Sequence, residues 1–474
     1  MINLLSSITM ARKALQAGQV AIQTTGHNIA NANTPGYTRQ RVDLVPTIPF
    51  SLGSAGSVGT GVDVKVVTRL RDLMLDSQFR DAHQTLGRQE TEEATLSQIE
   101  GLVGEPSDSG LASAMSALFG SFHDLANSPT DLAVRTVVRD KARALADQFH
   151  RLDDGFERLK IDLSNEITVD VKQVNGLAQQ IADLNGQIAR SEGGGGTAND
   201  LRDLRDQALD DLSKLVGGSV IEDMDGQVRV MLGGGLTLVD GQTTVPLEAR
   251  ANDPDPDSVG LFLGGKLMTP GGGRLAGLLN SRNSTSGFVK GFQSQLDALA
   301  EAVVDKVNTI HVAGYGMDGI TTANKFFDSL GTTARSIAVD STIEADVTKI
   351  AAAAAPIFPA ITADPGDNSN ALALASLQDD STAITLPSGG TTTLGAYLSN
   401  LVSDLASQEA GAKRSVGLHT TMADFLTSRR DQASGVSLDE EMTNLIRFQK
   451  AYEAAAHFVT VVNDLLGTLM TKLG

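Results

Sequence analysis

The residues that could do chemistry in this chain are scattered rather than grouped. Its seven histidines include no pair at i, i+4 and no His-Glu-x-x-His motif, the spacing that presents two imidazoles to one metal ion. Cysteine is absent, which excludes thiolate nucleophiles, disulfides and cysteine-ligated metals. The chain also has no Gly-x-Ser-x-Gly elbow and no phosphate-binding loop. We therefore predict no catalytic residues, no metal site, no cofactor and no enzymatic activity.

Adjacent carboxylates are the other pattern that could support acid–base chemistry. Asp153-Asp154 and Asp210-Asp211 both fall on predicted helices among polar neighbours. A charge pair in that setting usually marks a solvated helix face, so we interpret both pairs in that way.

The overall charge excludes several kinds of partner. The chain has 474 residues and a formal net charge of −19, which argues against binding nucleic acid or an anionic membrane surface. We find no apolar run of the roughly 20 residues that a membrane span needs. The first residues lack the basic and apolar regions of a secretory signal, so we expect no cleaved signal peptide.

Both ends of the chain show the heptad pattern of coiled-coil helices. A helix is predicted over residues 3–31, with small residues alternating with large apolar ones along its seam. A second helix is predicted from about residue 438 to the end, with Ser437 and Glu440 as its capping box. The predicted interface residues of the first helix are Leu4, Ile8, Leu15, Ile22 and Ile29. Those of the second helix are Leu438, Met442, Leu445, Tyr452, Ala456, Val459, Leu466 and Met470.

These apolar stripes have two explanations. One is that the two terminal helices pair in a coiled coil, because neither can bury its stripe alone. The other is that each end caps an ordinary helical bundle.

The sequence pattern predicts that the middle of the chain forms a helical rod interrupted by a β-rich segment. Helices are predicted around residues 71–127, from Pro129 to about 192, over 201–215 and 275–310, and near 370–377, 394–407 and 410–431. Between 217 and 273 the pattern changes to short strands with Asp-Gly hairpin signals. We predict a mainly α, discontinuous multi-domain fold. Its parts are a terminal coiled coil (1–50 plus 434–474), a mainly helical middle domain with some β (51–216 plus 274–433) and a β-rich insertion (217–273).

The segment that follows the first helix has its own signature. Residues 34–37 (Thr-Pro-Gly-Tyr) fit a type II turn, with proline and glycine in the two central positions. The whole stretch 26–40 (GHNIANANTPGYTRQ) resembles the N-terminal motif of bacterial flagellar rod and hook proteins. The motif residues are Asn28, Asn31, Asn33, Pro35, Gly36, Tyr37 and Arg39.

The opposite end of the chain resembles the same family. Residues 435–441 and 449–452 are similar to its C-terminal motif, and the Tyr-Thr-Arg-Gln ending of the first motif is most similar to the hook-associated proteins of the hook–filament junction. Residues 59–62 and 366–372 also resemble those proteins, whereas 217–275 resembles nothing familiar.

The resemblance implies an axial structural protein whose terminal helices form an inner tube. It further implies export by the flagellar type III system and an extracellular place between the hook and the second junction protein. The implied partners are further copies in a ring or helical layer, the hook protein, the second hook-associated protein and an export chaperone. The alternatives are another axial component, a secreted effector or enzyme carried by the insertion, and a cytoplasmic coiled-coil scaffold.

Overall fold

The computed structural model describes residues 2–51, 56–223, 225–252, 255–283, 287–356 and 362–473, and these are mainly helical. The helices are α1 (Ile2–Ala30), α2 (Leu73–Val103), α3 (Leu111–Asn127), α4 (Leu132–Glu192), α5 (Asn199–Leu215), α6 (Gly273–Asn283), α7 (Phe288–Ala313), α8 (Ser341–Ala345), α9 (Ser369–Ser376), α10 (Leu394–Ser434) and α11 (Leu438–Leu473). The strands are β1 (Gln40–Pro46), β2 (Phe50–Ser51), β3 (Ser57–Val58), β4 (Val62–Arg69), β5 (Gly218–Glu222), β6 (Val228–Leu232), β7 (Leu236–Asp240), β8 (Thr243–Thr244), β9 (Leu247–Asn252), β10 (Asp255–Leu263), β11 (Lys266–Met268), β12 (Ile384–Thr385) and β13 (Thr391–Thr392). The prediction of a mainly α fold with long terminal helices is confirmed.

The two terminal helices pack against each other in antiparallel fashion. Gly18 in the middle of α1 faces Tyr452 of α11, and a Cβ at Gly18 would lie 3.4 Å from the Tyr452 ring. Asn28, near the end of α1, contacts Glu441, near the start of α11. Small residues along α1 allow this close approach of the two backbones. None of the helices in the described ranges is long and apolar enough to cross a membrane.

A long β-hairpin lies along α1. Strands β1 and β4 pair antiparallel from Gln40 with Arg69 to Pro46 with Val62, and β2 with β3 extends the hairpin. Lys13 of α1 bonds to Asp63 of β4 at 3.0 Å. The chain therefore leaves the terminal pair through β4 and enters α2 directly behind it.

The middle of the molecule is organised around α4, a single helix of 61 residues. At 1.5 Å per residue it is about 90 Å long. Its apolar face is buried at Val138, Leu145, Phe149, Phe156 and Ile167, against neighbouring helices that include α3, α5, α6 and α7. Helix α10 runs antiparallel to α2. This direction is shown by two contacts, since Arg430 lies over the Phe79 ring while the earlier Ser415 bonds to the later Gln89.

The β-rich segment is held against α4 by polar side chains that bond to backbone groups of its strands and turns. It consists of a four-stranded sheet in the order β5-β6-β7-β8 and a three-stranded sheet in the order β11-β10-β9. Asn175 of α4 bonds to both backbone groups of Leu247 at 2.8 Å, and Asn185 bonds to the carbonyls of Val228 and Gly241. The predicted hairpin turns are present, with φ of 72° at Gly226 and 59° at Gly241.

Three predicted helix boundaries are wrong. Helix α4 begins at Leu132 rather than at Pro129, because Asp131 caps it by accepting a hydrogen bond from the Ala133 amide. The predicted helix over 275–310 is divided into α6 and α7. The two helices predicted over 394–407 and 410–431 are one continuous α10, since residues 408–410 (Gln-Glu-Ala) are good helix formers.

Two basic side chains are buried at the junction of α4, α7 and the segment around residue 350, and both bond to backbone groups. The Arg135 guanidinium donates to the carbonyls of Pro129 and Ile350, and desolvation by burial lowers its pKa to about 10. His311 is fully buried; its Nδ1 donates to the Asn324 carbonyl and its Nε2 accepts from the Ala351 amide. This arrangement requires a neutral imidazole.

We expect the burial of His311 to make the fold sensitive to mild acid. Burial lowers the pKa of His311 from 6.5 to about 4. As the pH falls from 6.5 towards 4 the unfolded chain takes up a proton that the folded chain does not, so the free energy of unfolding falls, by about 1.4 kcal/mol per pH unit at most. Urea unfolding of wild type and His311→Gln at several pH values measures this difference. The variant should lose that part of the pH dependence.

The exposed His123 provides the matched control for this experiment. His123→Gln should keep the wild-type pH dependence. Equal slopes for wild type and His311→Gln between pH 4 and 6.5 would contradict the prediction.

Candidate functional site

The motif that follows α1 folds as a compact turn. The Tyr37 amide donates to the Thr34 carbonyl at 3.2 Å and Gly36 has φ of 79°, as the predicted type II turn requires. Asn31 closes the end of α1 by donating from its side chain to the His27 carbonyl at 3.0 Å. Asn33 and Pro35 are exposed at the tip of the turn. The turn reverses the chain so that the residues after it pass back alongside α1.

Asn28 is the centre of the contacts between the turn and the two helices. Its amide group donates to the Gln40 carbonyl at 2.8 Å and to Glu441 of α11 at 2.9 Å. Its Oδ1 accepts from the Gln40 amide at 2.9 Å and from the Tyr37 hydroxyl at 2.7 Å. Burial and the negative charges of nearby carboxylates, first that of Asp200, raise the pKa of Tyr37, so this phenol stays neutral and able to donate. Asn28 thus binds three chain segments at once.

Arg39 joins the same place to the start of α11. Its Nε donates to Glu441 at 2.8 Å, its Nη2 lies 2.7 Å from the same oxygen, and its Nη1 donates to Glu440 at 2.7 Å. Burial alone would lower the pKa of Arg39, but the hydrogen bonds to Glu440 and Glu441 raise it. The Arg39 amide also donates to the Ser434 carbonyl at 2.9 Å. We name the set Asn28, Tyr37, Arg39, Glu440 and Glu441 the terminal clamp.

The predicted capping box at the start of α11 is only partly formed. The Glu440 amide lies 3.5 Å from the Ser437 hydroxyl, a weak contact, while the Glu441 amide donates to the Ser437 carbonyl at 2.9 Å. The Glu440 carboxylate does not fold back along its own helix; it pairs with Arg39 instead. The Arg39 guanidinium is a charged donor, and its hydrogen bond to the Glu440 carboxylate is stronger than one from a neutral backbone amide.

The contact between α1 and α11 is displaced from the predicted seam. In α1 the buried residues are small or polar, namely Ala11, Ala17, Ala21, Thr25 and Asn28. The predicted residues Ile8, Leu15, Ile22 and Ile29 are half-buried, and the side chain of Leu4 lies outside the described residues.

In α11 the predicted residues divide into two groups. Leu445, Ala456, Val459 and Leu466 are half-buried, and Tyr452 lies against Gly18 of α1. Leu438, Met442 and Met470 are exposed in the single chain. Sequence reasoning missed the other row of the contact, which is Glu441, Phe448, Ala455 and Val462. The row was not recognised as buried because it contains Glu441, and a glutamate normally marks a solvated position.

A second polar cluster connects the terminal pair to the middle of the molecule. We name it the ionic joint; it contains Arg69, Arg71, Asp76, Arg80, Asp203, Asp206, Asp210 and Arg430. Its carboxylates at 203, 206 and 210 lie along one face of α5. Its arginines come from the end of β4, from the short link between β4 and α2 (Arg71), from α2 and from the returning helix α10. Every side chain in the joint is at most 21% exposed.

Asp206 is at the centre of the ionic joint. It lies 2.7 Å from Arg69, 3.0 Å from Arg71 and 3.6 Å from Arg80. Burial alone would raise the pKa of Asp206, but Arg71 and the other guanidinium groups hold it below its usual value. Asp206 is therefore an ionised carboxylate at neutral pH, fixed between the outgoing and returning segments of the chain.

The ionic joint corrects the interpretation of the paired carboxylates. Asp210 is buried and bonds to Arg80 and Arg430, so it is not on a solvated face. Asp153 is buried as well and accepts from Gln293 at 2.7 Å. Their partners come from distant parts of the sequence, where spacing gives no signal.

Comparison with known proteins identifies the family of the chain. The protein-family model described as "Flagellar hook-associated protein FlgK helical domain" matches residues 96–327. The model described as "Flagella basal body rod protein" matches residues 8–38, and that of the "Flagellar basal body rod FlgEFG protein C-terminal" matches 428–472. Flagellar hook-associated protein 1 of Bacillus subtilis is 32% identical over 504 residues, covering 98% of this chain and 97% of the relative. The chain belongs to the FlgK family of flagellar hook-associated proteins.

Other FlgK relatives are more distant. Flagellar hook-associated protein 1 of Salmonella typhimurium is 27% identical, with 98% of this chain and 99% of the relative covered. The structure of the flagellar hook junction protein FlgK from Burkholderia pseudomallei matches with a TM-score of 0.65 at 19% identity, covering 76% of this chain and 100% of that one. That likeness concerns the fold. FlgK proteins are structural components of the flagellum.

The terminal clamp joins the two segments that the rod-protein models match. Asn28 and Tyr37 lie in the N-terminal match and both glutamates lie in the C-terminal one, while Arg39 directly follows the first. Three of the motif residues, Asn28, Tyr37 and Arg39, therefore hold the end of α1 to the start of α11.

Proposed function

We propose that this chain is a structural junction protein of the bacterial flagellum, joining the hook to the filament through the second junction protein. One observation carries the proposal. The two segments matched by the rod-protein models fold together as one clamped helix pair, and α11 of that pair keeps exposed apolar residues that further copies could cover. Stacking of such pairs would build the axial tube.

The proposal includes partners and a place. The terminal pair would contact further copies in a ring or helical layer, the hook protein and the second hook-associated protein. Before assembly α11 would meet an export chaperone, and the chain would leave the cell through the flagellar type III system without signal cleavage. It would then lie outside the cell, at the hook–filament boundary, and have no enzymatic activity. Among the residues that the structure describes, no three histidine or acidic side chains form a metal-ion group.

We also propose the division of the chain into three parts. Residues 1–50 with 434–474 would form the inner tube and 51–216 with 274–433 the surrounding middle domain. Residues 217–273 would form the outer insertion. The strands β5 to β11 fall between the end of α5 and the start of α6, which supports the last boundary.

The direct test is immunogold labelling of detached flagella with an antibody to residues 217–273. A single narrow band at the hook–filament boundary is the expected result. Label along the whole hook or filament would assign the chain to another axial component, and cytosolic protein without flagellar label would favour a cytoplasmic scaffold.

We expect a charge in the terminal pair to prevent assembly while the middle domain stays folded. Leu445→Asp and Ile22→Asp each place a carboxylate at a half-buried position between α1 and α11, where burying an unpaired charge costs several kcal/mol. Cells that carry either variant should have hooks without attached filaments, whereas the helical content of the purified protein should fall only slightly.

Thr443→Asp is the matched control for Leu445→Asp, because Thr443 lies on the exposed side of the same helix turn. It should leave the helix pair intact. Normal filaments on cells that carry Leu445→Asp would refute this account of the terminal pair.

A further inference from the structure

Helix α11 exposes two rows of residues that follow the same pattern. The row nearer the terminal clamp, the proximal row, contains Met442, Ile446, Gln449 and Glu453. The row nearer the chain end, the distal row, contains Val461, Leu465, Thr468 and Lys472. All eight residues are exposed in the single chain, and the four apolar ones are between 41 and 55% exposed.

The two rows lie on either side of the outward face of α11. With 100° per residue, each row is rotated by about 130° from the row that contacts α1, one in each direction. The contacting row is Glu441, Phe448, Ala455 and Val462. A neighbour on one side of the helix would therefore meet the proximal row, and a neighbour on the other side would meet the distal row.

A shift of 19 residues superimposes one row on the other with matching chemistry. Met442 corresponds to Val461 and Ile446 to Leu465, so an apolar residue in one row matches an apolar residue in the other. Gln449 corresponds to Thr468, both polar and uncharged, and the acidic Glu453 corresponds to the basic Lys472. The spacing within both rows is four, three and four residues, so all four pairs form in one register.

Over residues 6–30 of α1, where the structure describes the side chains, the outer face has no such rows. Its exposed residues include Thr9, Arg12, Gln16, Gln19 and Gln23, which are all polar. Exposed apolar surface of the helix pair is therefore concentrated on α11 in this part of the molecule.

We propose that the proximal row of one copy packs against the distal row of the next copy, with the two α11 helices parallel and displaced by about 28 Å along their axes. The occupant of each row is a second copy of this chain, because each row complements the other in charge and apolar pattern and neither complements itself. Two different surfaces in contact give a heterologous interface, which repeats without two-fold closure and so builds a ring or helical layer. This inference rests on the proposed function and specifies the contact by which copies join.

Engineered cysteines test the register directly, since the natural chain has no cysteine. Flagella from cells that carry Met442→Cys with Val461→Cys are oxidised mildly and analysed on non-reducing gels with an antibody to the insertion. Within one chain these positions are about 28 Å apart, whereas a disulfide needs Cα atoms within about 7 Å. Covalent ladders of two, three and more copies are therefore expected only from contacts between neighbouring copies.

Two controls fix the interpretation. Met442→Cys alone should give no dimers, because two proximal rows do not meet. Met442→Cys with Thr468→Cys changes the required shift by about 10 Å along the helix and should crosslink on the order of tenfold less.

Dimers from Met442→Cys alone, or the absence of ladders from the first pair when the protein is present at the junction, would overturn the pairing and leave the junction function intact. Protein missing from flagella in wild-type cells would overturn both.

A second pair and a charge exchange keep the test decisive if the first pair disturbs assembly. Ile446→Cys with Leu465→Cys should form the same ladders. Glu453→Lys should reduce the number of filaments per cell, and addition of Lys472→Glu should raise it again, because the exchanged pair restores the attraction between copies. The pair that Glu453 makes with Lys450 within one chain is lost equally in both variants, so it does not affect their comparison. A double variant no better than Glu453→Lys would overturn the proposal.

Discussion

Asp206→Ala is expected to lower the free energy of unfolding of the middle domain by about 3–5 kcal/mol. Asp206 is nine-tenths buried and neutralises Arg69 and Arg71 within the ionic joint. Its removal leaves two buried guanidinium groups with less compensating charge, and the loss of one partner from a buried ion pair costs more than the pair itself contributes. Urea unfolding followed by circular dichroism measures the change.

The neighbouring acidic residue Asp211 provides the control. It is on the same helix but is half-exposed, and its ion pair among the described residues is with Lys214, three residues away. Asp211→Ala should change the free energy of unfolding by no more than about 0.5 kcal/mol. If the two variants proved equally stable, the ionic joint would contribute nothing to holding the fold.

The second large effect is expected in the terminal clamp. Glu441→Ala removes the carboxylate that binds both Arg39 and Asn28. We expect the helix pair to lose about 3 kcal/mol, because Arg39 then keeps only the exposed Glu440 and the Asn28 amide loses an acceptor. Opening of the pair becomes on the order of 100-fold more frequent, since 1.4 kcal/mol corresponds to a factor of ten. Amide hydrogen exchange in α1 measures this directly.

Glu440→Ala separates the clamp from a general charge effect. Glu440 contacts the same arginine but its side chain is 62% exposed, so its loss should cost no more than about 1 kcal/mol. Unchanged exchange in α1 for Glu441→Ala, or an equal increase for both variants, would show that Glu441 does not hold the helices together.

Periodicity in the sequence was sufficient to predict the long helices but not the faces that they bury. The heptads at both ends predicted α1 and α11, and the hairpin signals Asp225-Gly226 and Asp240-Gly241 predicted the change to strands. The row that contains Glu441 was missed because two adjacent rows of α11 are both apolar. Which of the two is buried against α1 depends on a partner from elsewhere in the chain. That partner, Arg39, is 402 residues away in the sequence.

The ionic joint was beyond prediction for a related reason. Its acidic residues on α5 show the spacing of a solvated helix face, and nothing nearby in the sequence marks them as buried. Arg71 and Arg430 reach them only because β4 ends and α10 ends at the same side of α5. Local pattern thus predicted the elements, whereas the polar contacts that orient them depend on tertiary structure.

The ionic joint also has a consequence for the order in which the molecule folds. In an unfolded chain, contact between Arg39 and Glu441 closes a loop of 402 residues. Once the joint has brought Arg69 and Arg430 to the same helix, the remaining segments are about 30 and about 11 residues long, which reduces the entropy cost of closure by about 2 kcal/mol. The ends of the chain should therefore meet last, after the interior has already brought them close together.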